Sequence, residues 1–108
     1  MDHQNYRYHH LGIPTSVSRP GEIYLPEFKM YVSGYQSSPF HIEWMRFEEG
    51  SPLPEIVRIL PHVAFEVDDL KHALQGREVI IPPNSPSDGW MVAFILENGA
   101  PVELMQSI

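Results

Sequence analysis

The stretch Pro61-His62-Val63-Ala64-Phe65-Glu66-Val67-Asp68-Asp69-Leu70 contains both kinds of secondary structure from which this chain is built. Its β-branched and aromatic residues predict a strand over residues 61–67. A helix follows, because Asp68 can cap the first turn, apolar residues continue along one face, and Gly76 can end the helix in a left-handed conformation. This half of the chain is therefore predicted to be a sheet module whose open face needs a cover.

The predicted strand opens with His62, and the same half of the chain closes with Glu103 inside the apolar strand Val102-Glu103-Leu104-Met105. The first half repeats the pattern with His10 and Glu43, which are 33 residues apart, against 41 residues between His62 and Glu103. A carboxylate among apolar strand residues is costly to bury unless something pairs with it. A divalent cation could pair with both carboxylates and both imidazoles. Such a ligand set suits Zn, Ni, Co, Mn or Fe(II).

The rest of the chain predicts strands, loops and turns around these residues. Six further strands are expected, over residues 6–13, 28–35, 40–47, 78–81, 90–96 and 102–106. Residues 15–26 and 82–89 are predicted loops, and Asn98-Gly99 favours a tight hairpin turn. The second half is thus strand–helix–strand–strand–strand, and the first half has the same order with its helix reduced or lost. The fold class is α+β.

Length and composition restrict the class of protein. The 108 residues predict a single domain over 1–108, with module one at 6–47, a linker at 48–60 and module two at 61–106. The net charge of −7 argues against binding to nucleic acid or to an anionic membrane surface. The chain has no cysteine, which excludes disulfides and thiolate metal sites. Neither a signal peptide nor an apolar stretch of about 20 residues is present, so a cytoplasmic location is expected.

The element order and these residues resemble the vicinal oxygen chelate superfamily, which includes glyoxalase I, epimerases, extradiol dioxygenases and bleomycin-resistance proteins. The resemblance covers residues 7–106 and is strongest over 61–106. It implies a glyoxalase-like domain in which two βαβββ modules pair into a curved mixed sheet around a metal. The family's ligands come from the first, fourth, fifth and eighth strands. They fall here on His10, Glu43, His62 and Glu103.

A complete set of two histidines and two glutamates is most similar to the glyoxalase I and epimerase branches. The resemblance therefore implies a metal-dependent lyase or isomerase that abstracts a proton next to a metal-bound oxygen of a small substrate. Glu103 is the expected base, with Glu43 a fixed ligand or second base. Two alternatives stay open: a non-catalytic protein that binds a drug-like ligand, and an extradiol-type dioxygenase. A homodimer is expected, since the family frequently forms dimers.

Two neighbouring histidines compete for the first ligand position. His9 and His10 point to opposite faces of a strand, so only one of them can face the metal. We favour His10 because it directly precedes Leu11-Gly12-Ile13. His41 lies two residues before Glu43 and is a candidate for a supporting role beside the ligands.

Overall fold

The computed structural model of this chain describes residues 5–108. Residues 1–4, which the predicted single domain includes, lie outside the described part. The strands are β1 (Arg7–Pro14), β2 (Ile23–Leu25), β3 (Met30–Ser33), β4 (Ile42–Phe47), β5 (His62–Glu66), β6 (Glu78–Asn84), β7 (Trp90–Glu97) and β8 (Ala100–Ser107). The helices are α1 (Glu55–Ile59) and α2 (Leu70–Ala73), with a 3-10 turn at Tyr35–Ser37. None of the helices among residues 5–108 is long and apolar enough to cross a membrane.

The strands form a mixed sheet in the order β2-β3-β4-β1-β5-β8-β7-β6. β1 pairs in parallel with β4, and β5 pairs in parallel with β8. The remaining neighbours within each half, β2–β3, β3–β4, β6–β7 and β7–β8, are antiparallel. Counted outward from β1 and from β5, the order is the same: first strand, fourth, third, second. The predicted α+β class with a mixed sheet is confirmed at this level, and the four-strand order occurs twice.

Residue contacts divide the chain into two compact units. The C-terminal unit contains residues 5–9 together with Val63–Ile108, and the N-terminal unit contains His10–His62. The boundary therefore falls inside β1 and at the first residue of β5. Each unit has its own way of covering a sheet face.

The C-terminal unit buries an apolar cluster between α2 and one face of its strands. This helix-side cluster contains six buried residues from α2, the strands and the segment between β5 and α2, namely Val67, Leu70, Ala73, Ala93, Ile95 and Leu104. α2 is capped by Asp69, whose side chain accepts a hydrogen bond from the backbone N–H of His72 at 3.1 Å. The predicted cap at Asp68 was one residue early, and Asp68 instead pairs with Arg7. The chain leaves the helix through Gly76 at a φ of +74°, as its sequence predicts.

The opposite face of the C-terminal unit is also apolar but carries one carboxylate. Ala64, Val92 and Met105 form its buried cluster, with Trp90 packed against them. Glu103 pairs with Ala64 on β5 and with Phe94 on β7. Directly paired residues share a face of the sheet, so Glu103 lies on this face and not beneath α2.

The N-terminal unit has no helix between its first and second strands, and its helix α1 comes only after β4. Residues 15–22, which we call the strap, contain no helical residue. The guanidinium carbon of Arg19 lies 4.7 Å from the ring centroid of Trp44 on β4. Arg46 on the same strand donates two hydrogen bonds to the carboxylate of Glu22, at 2.8 and 2.7 Å. The sequence predicts that the first helix is reduced or lost, and the strap that follows β1 has no helix and is held by polar contacts.

Several element boundaries differ from the sequence predictions. β2 lies inside the predicted loop 15–26, because a three-residue edge strand is defined by its pairing with β3 and not by composition. β3 starts at Met30 because Lys29 has a left-handed φ of 48° and belongs to the preceding turn. α1 lies within the predicted linker 48–60. β6 runs on through Pro82 and Pro83, which an edge strand tolerates because only one of its sides needs donors.

Candidate metal centre

Strand register places the two histidine–glutamate pairs equivalently. In the parallel pair β1–β4, Gly12 lies opposite Glu43, and His10 is two residues before Gly12. In the parallel pair β5–β8, Ala64 lies opposite Glu103, and His62 is two residues before Ala64. Because side chains alternate between faces, each histidine shares a face with the glutamate of its partner strand. The histidine–glutamate repeat in the sequence therefore corresponds to the same strand register in the β1–β4 and β5–β8 pairs.

His10 and His62 are both buried, with 5% and 3% of their surface exposed. Their ring centroids are 5.5 Å apart, and the ring planes are nearly perpendicular at 81°. Gly12 makes this approach possible, since a Cβ at that position would collide with Cε1 of His62 and lie 2.8 Å from its Nδ1. The glycine therefore keeps open the space that the second imidazole fills.

His10, His62 and Glu103 form a group with metal-binding geometry. One imidazole nitrogen from each histidine and one carboxylate oxygen of Glu103 all lie within 4.8 Å of one another, and all three residues are buried. Two donors on opposite sides of one divalent ion are about 4.2 Å apart, since metal–ligand bonds are about 2.1 Å. Small side-chain adjustments would bring the three donors to coordination distance. The donor set and the cleared space at Gly12 fit a divalent cation of the Zn, Ni, Co, Mn or Fe(II) kind.

Glu43 lies beside this group and not within it. Its Oε1 is 3.9 Å from Nε2 of His10, and 25% of its side-chain surface is exposed. The fourth predicted ligand is therefore close to the first histidine but is more accessible than Glu103, of which 8% is exposed. The two glutamates are equivalent in register but differ in environment.

The neighbouring histidines His9 and His10 have different ring neighbours. The His9 ring packs edge-on against Trp90 at 5.2 Å, within the C-terminal unit. His10 is the one that faces His62. The choice of His10 over His9 as the histidine near the second imidazole agrees with this arrangement.

Tyr35 is a neighbour of His10 that the sequence did not single out. Its ring stands edge-on to the His10 ring, with the ring centroids 6.1 Å apart. The ring of His41 also packs on the Tyr35 ring, with a centroid distance of 4.8 Å. His41, predicted to support the ligands, thus reaches His10 through Tyr35. The sequence signal for this arrangement is Gly34, because it precedes the 3-10 turn and its φ of +92° allows the sharp change of chain direction before Tyr35.

Two arginines, Arg7 and Arg46, form ion pairs with carboxylates of the protein. Arg7 contacts Asp68 at 3.0 Å and Glu66 at 3.4 Å. The hydrogen bond to Asp68 is the main cause that raises the pKa of Arg7. In the N-terminal unit, the hydrogen bonds from Arg46 are the main cause that lowers the pKa of Glu22.

Comparison of the chain with models of protein families and with curated proteins found no match. The interpretation of the site therefore depends on its geometry and chemistry.

Proposed function

We propose that this protein is a metal-dependent lyase or isomerase that moves a proton on a small oxygenated substrate, as the resemblance to the vicinal oxygen chelate superfamily suggests. The observation that carries the proposal is the group of three buried donors, His10, His62 and Glu103, within 4.8 Å of one another. A buried carboxylate is costly unless it is paired, and a divalent cation can pair with this carboxylate and with both imidazoles at once.

A divalent cation held by these side chains would act as a Lewis acid and make the C–H bond next to a coordinated carbonyl more acidic. Glu43 is the group that we assign to take this proton. It lies outside the three-donor group and is partly accessible, so its carboxylate can reach a substrate. For an α-hydroxycarbonyl substrate, the electron pair of the broken C–H bond forms a C=C bond and the carbonyl π pair moves to its oxygen. Glu43 would then return the proton to the former carbonyl carbon, while the hydroxyl proton passes to the former carbonyl oxygen and a new C=O bond forms at the other carbon. The isomerisation needs no oxidant or reductant.

This assignment exchanges the roles that the resemblance implies for the two glutamates. Glu103 is more buried and belongs to the group of three, which suits a permanent ligand. Glu43 is more exposed and 3.9 Å from His10, which suits a base that works beside the cation.

The test starts with metal content and ends with proton exchange. Protein loaded with Zn, Ni or Co should retain one ion per chain, and His62→Ala should abolish stoichiometric binding. Exchange of the α-hydrogen of an α-hydroxyketone with D₂O is then followed by NMR. Glu43→Gln should keep the metal and slow exchange by about 10²- to 10⁴-fold, whereas Glu103→Gln should weaken metal binding first. Undiminished exchange in Glu43→Gln would rule out its role, and the opposite pattern would return the base to Glu103.

A second candidate function is that of a dioxygenase. The three grouped side chains are two histidines and one carboxylate, which is the ligand set of non-haem Fe(II) oxygenases with open coordination positions. Oxygen consumption by the Fe(II)-loaded protein in the presence of a catechol, with no consumption by the Zn-loaded protein, would favour this activity over proton transfer.

A homodimer is part of the same proposal. The edge strand β2 exposes 64% of Ile23 and 42% of Tyr24, and an exposed apolar edge favours pairing with another chain. Sedimentation velocity of the wild type and of Ile23→Lys tests this assembly. A concentration-dependent dimer that the lysine weakens is the expected result.

A further inference from the structure

The loop between β3 and β4, residues 34–41, is a structured element beside His10. Gly34 starts it, and its carbonyl accepts a hydrogen bond from the Ser37 backbone N–H at 3.1 Å. The Ser38 hydroxyl accepts hydrogen bonds from the N–H groups of Phe40 and Ile42, at 3.2 and 3.1 Å. These hydrogen bonds stabilise the loop that carries Tyr35.

His41 closes the loop in a conformation that non-glycine residues rarely adopt. Its φ is +54°, a left-handed value that carries a conformational cost. Its carbonyl accepts a hydrogen bond from Leu11 at the start of the β1–β4 pairing, at 3.1 Å. In this conformation the His41 ring lies on Tyr35 at 4.8 Å. The surrounding bonds thus hold an exposed imidazole against a tyrosine that already touches His10.

The three rings follow a gradient of exposure. His10 is buried, Tyr35 is half-buried and His41 is exposed. The aromatic pair of Tyr35 and His41 therefore leads from solvent to a proposed metal ligand. A substrate group lying along this pair would meet flat π surfaces, which favour aromatic or flat apolar groups.

The charges of the chain oppose an anionic substrate. All five arginines lie within the described residues, and each is bound to another group of the protein. Their partners are Glu66 and Asp68 for Arg7, the Trp44 ring for Arg19, Glu22 for Arg46, the Leu53 carbonyl for Arg58 and Glu97 for Arg77. A substrate carboxylate or phosphate would compete with these partners in a protein of net charge −7.

We propose that Tyr35 determines substrate specificity and that the substrate is an uncharged α-hydroxycarbonyl compound whose aromatic or flat apolar group stacks on the Tyr35–His41 pair. The inference rests on the proposed metal-dependent function and names the substrate class of the same site. It disfavours polyanionic conjugates such as thioesters of coenzyme A and adducts of glutathione.

Three probes with the same chelating group test the class. They are α-hydroxyacetophenone, hydroxyacetone, which lacks the ring, and the para-carboxylate of α-hydroxyacetophenone, which adds a charge far from the chelating oxygens. Titration calorimetry on the zinc-loaded protein should rank α-hydroxyacetophenone tightest. Loss of the ring should weaken binding about two- to tenfold, and the added carboxylate should weaken it by roughly threefold or more.

Variants then assign the preference to Tyr35. Tyr35→Leu should bring the affinity ratio of α-hydroxyacetophenone to hydroxyacetone close to unity, and Tyr35→Phe should keep the wild-type ratio. Tyr31→Leu is the matched control, because Tyr31 pairs with Arg46 on the strap side of the sheet and should leave the ratio unchanged. The ratio is insensitive to a general change in zinc affinity, since both probes depend on the same ion.

The outcomes separate this inference from the proposed function. A ring preference that depends on Tyr35, without α-hydrogen exchange on any probe, would support the specificity assignment and count against the isomerase. Equal or tighter binding of the carboxylate probe, an unchanged ratio in Tyr35→Leu, or no binding of any probe would overturn the specificity assignment even if exchange occurred on another compound.

Discussion

The two units of the molecule carry the same strand order but cover it differently. By register, Glu43 corresponds to Glu103, so Trp44 corresponds to Leu104 and Arg46 to Gln106. In the C-terminal unit Leu104 is buried under α2, and the Gln106 side chain accepts a hydrogen bond from the first helical N–H, that of Leu70, at 2.7 Å.

In the N-terminal unit the equivalent residues hold the strap. Trp44 is covered by Arg19, and Arg46 binds Glu22 through two hydrogen bonds. The residue three positions after each glutamate thus anchors whatever covers the sheet. The comparison teaches that a helix between the first and second strands is not required for this strand order, since the Arg19–Trp44 cation–π contact and the two Arg46–Glu22 hydrogen bonds occupy the equivalent place.

The hairpins that correspond to each other also differ. β7 and β8 are joined by the turn Asn98-Gly99, with φ values of 50° and 85°. β3 and β4 are joined by the longer loop 34–41, which carries Tyr35 and His41. The unit with the strap has the loop that we assign to substrate specificity, in keeping with the general placement of function on loops supported by a rigid sheet.

The largest expected effect on stability comes from the residues beneath α2 and beneath the strap, Leu104 and Trp44. Leu104→Ala removes a side chain that is 2% exposed in the helix-side cluster and should lower the free energy of unfolding by about 2–5 kcal/mol. Trp44→Ala should cost less, although tryptophan is larger, because Trp44 is only half-buried under Arg19. Urea unfolding of both variants measures this. An equal or larger loss in Trp44→Ala would show that the strap buries as effectively as the helix.

The next comparison concerns the two small residues opposite the glutamates. Gly12→Ala would push a Cβ into the His62 ring, so we expect a loss of about 1–3 kcal/mol of stability and at least about tenfold in zinc affinity. Ala64→Gly, the reciprocal change, should cost about 1 kcal/mol and leave zinc affinity unchanged. Competition titration with a zinc indicator and urea unfolding give both quantities. Unaltered zinc affinity in Gly12→Ala would mean that His62 is not held at its present position for metal.

A smaller effect is expected at the anchor of the helix. Gln106→Ala removes the acceptor of the Leu70 N–H and should lower stability by about 1 kcal/mol. Gln106→Glu is the control, since it keeps an acceptor oxygen at the same place. Thermal unfolding of both variants should rank the alanine below the glutamate. If both are equally destabilised, the hydrogen bond is not what anchors α2.

Much of the fold could be predicted because local chemistry and final structure agree. The alternation around His62 and Glu103, the αL glycine at Gly76 and the Asn98-Gly99 turn each prescribe one local conformation. β2 could not be predicted, because its three residues follow Pro20-Gly21 and are ordered only by pairing with β3.

The candidate site could be predicted in part for similar reasons. Strand parity selects the faces of His10 and Glu43 from sequence alone, but not the distances between side-chain atoms. Whether Glu43 joins the other donors depends on rotamers and on packing. Tyr35 was missed because a loop residue reaches His10 only through the specific path that Gly34 and His41 impose on the backbone.

The smallest expected effect, and the one that isolates the strap, is on the pH dependence of stability. Arg46 lowers the pKa of Glu22 below its ordinary value of 4.5, so the folded state favours the carboxylate. The stabilisation is present above pH 4.5 and is lost as the pH falls through the lowered pKa of the folded state. Glu22→Gln should therefore be less stable than the wild type near pH 6, with the difference shrinking towards zero in more acidic solution. Urea midpoints across this range measure it, and the same substitution in an Arg46→Met background should show much less convergence, since the main cause of the lowered pKa is gone. A stability difference that stays constant with pH in the wild-type background would mean that Glu22 holds the strap by its shape alone. The charge of its carboxylate, paired with Arg46, would then contribute nothing to the cover that stands in place of a helix.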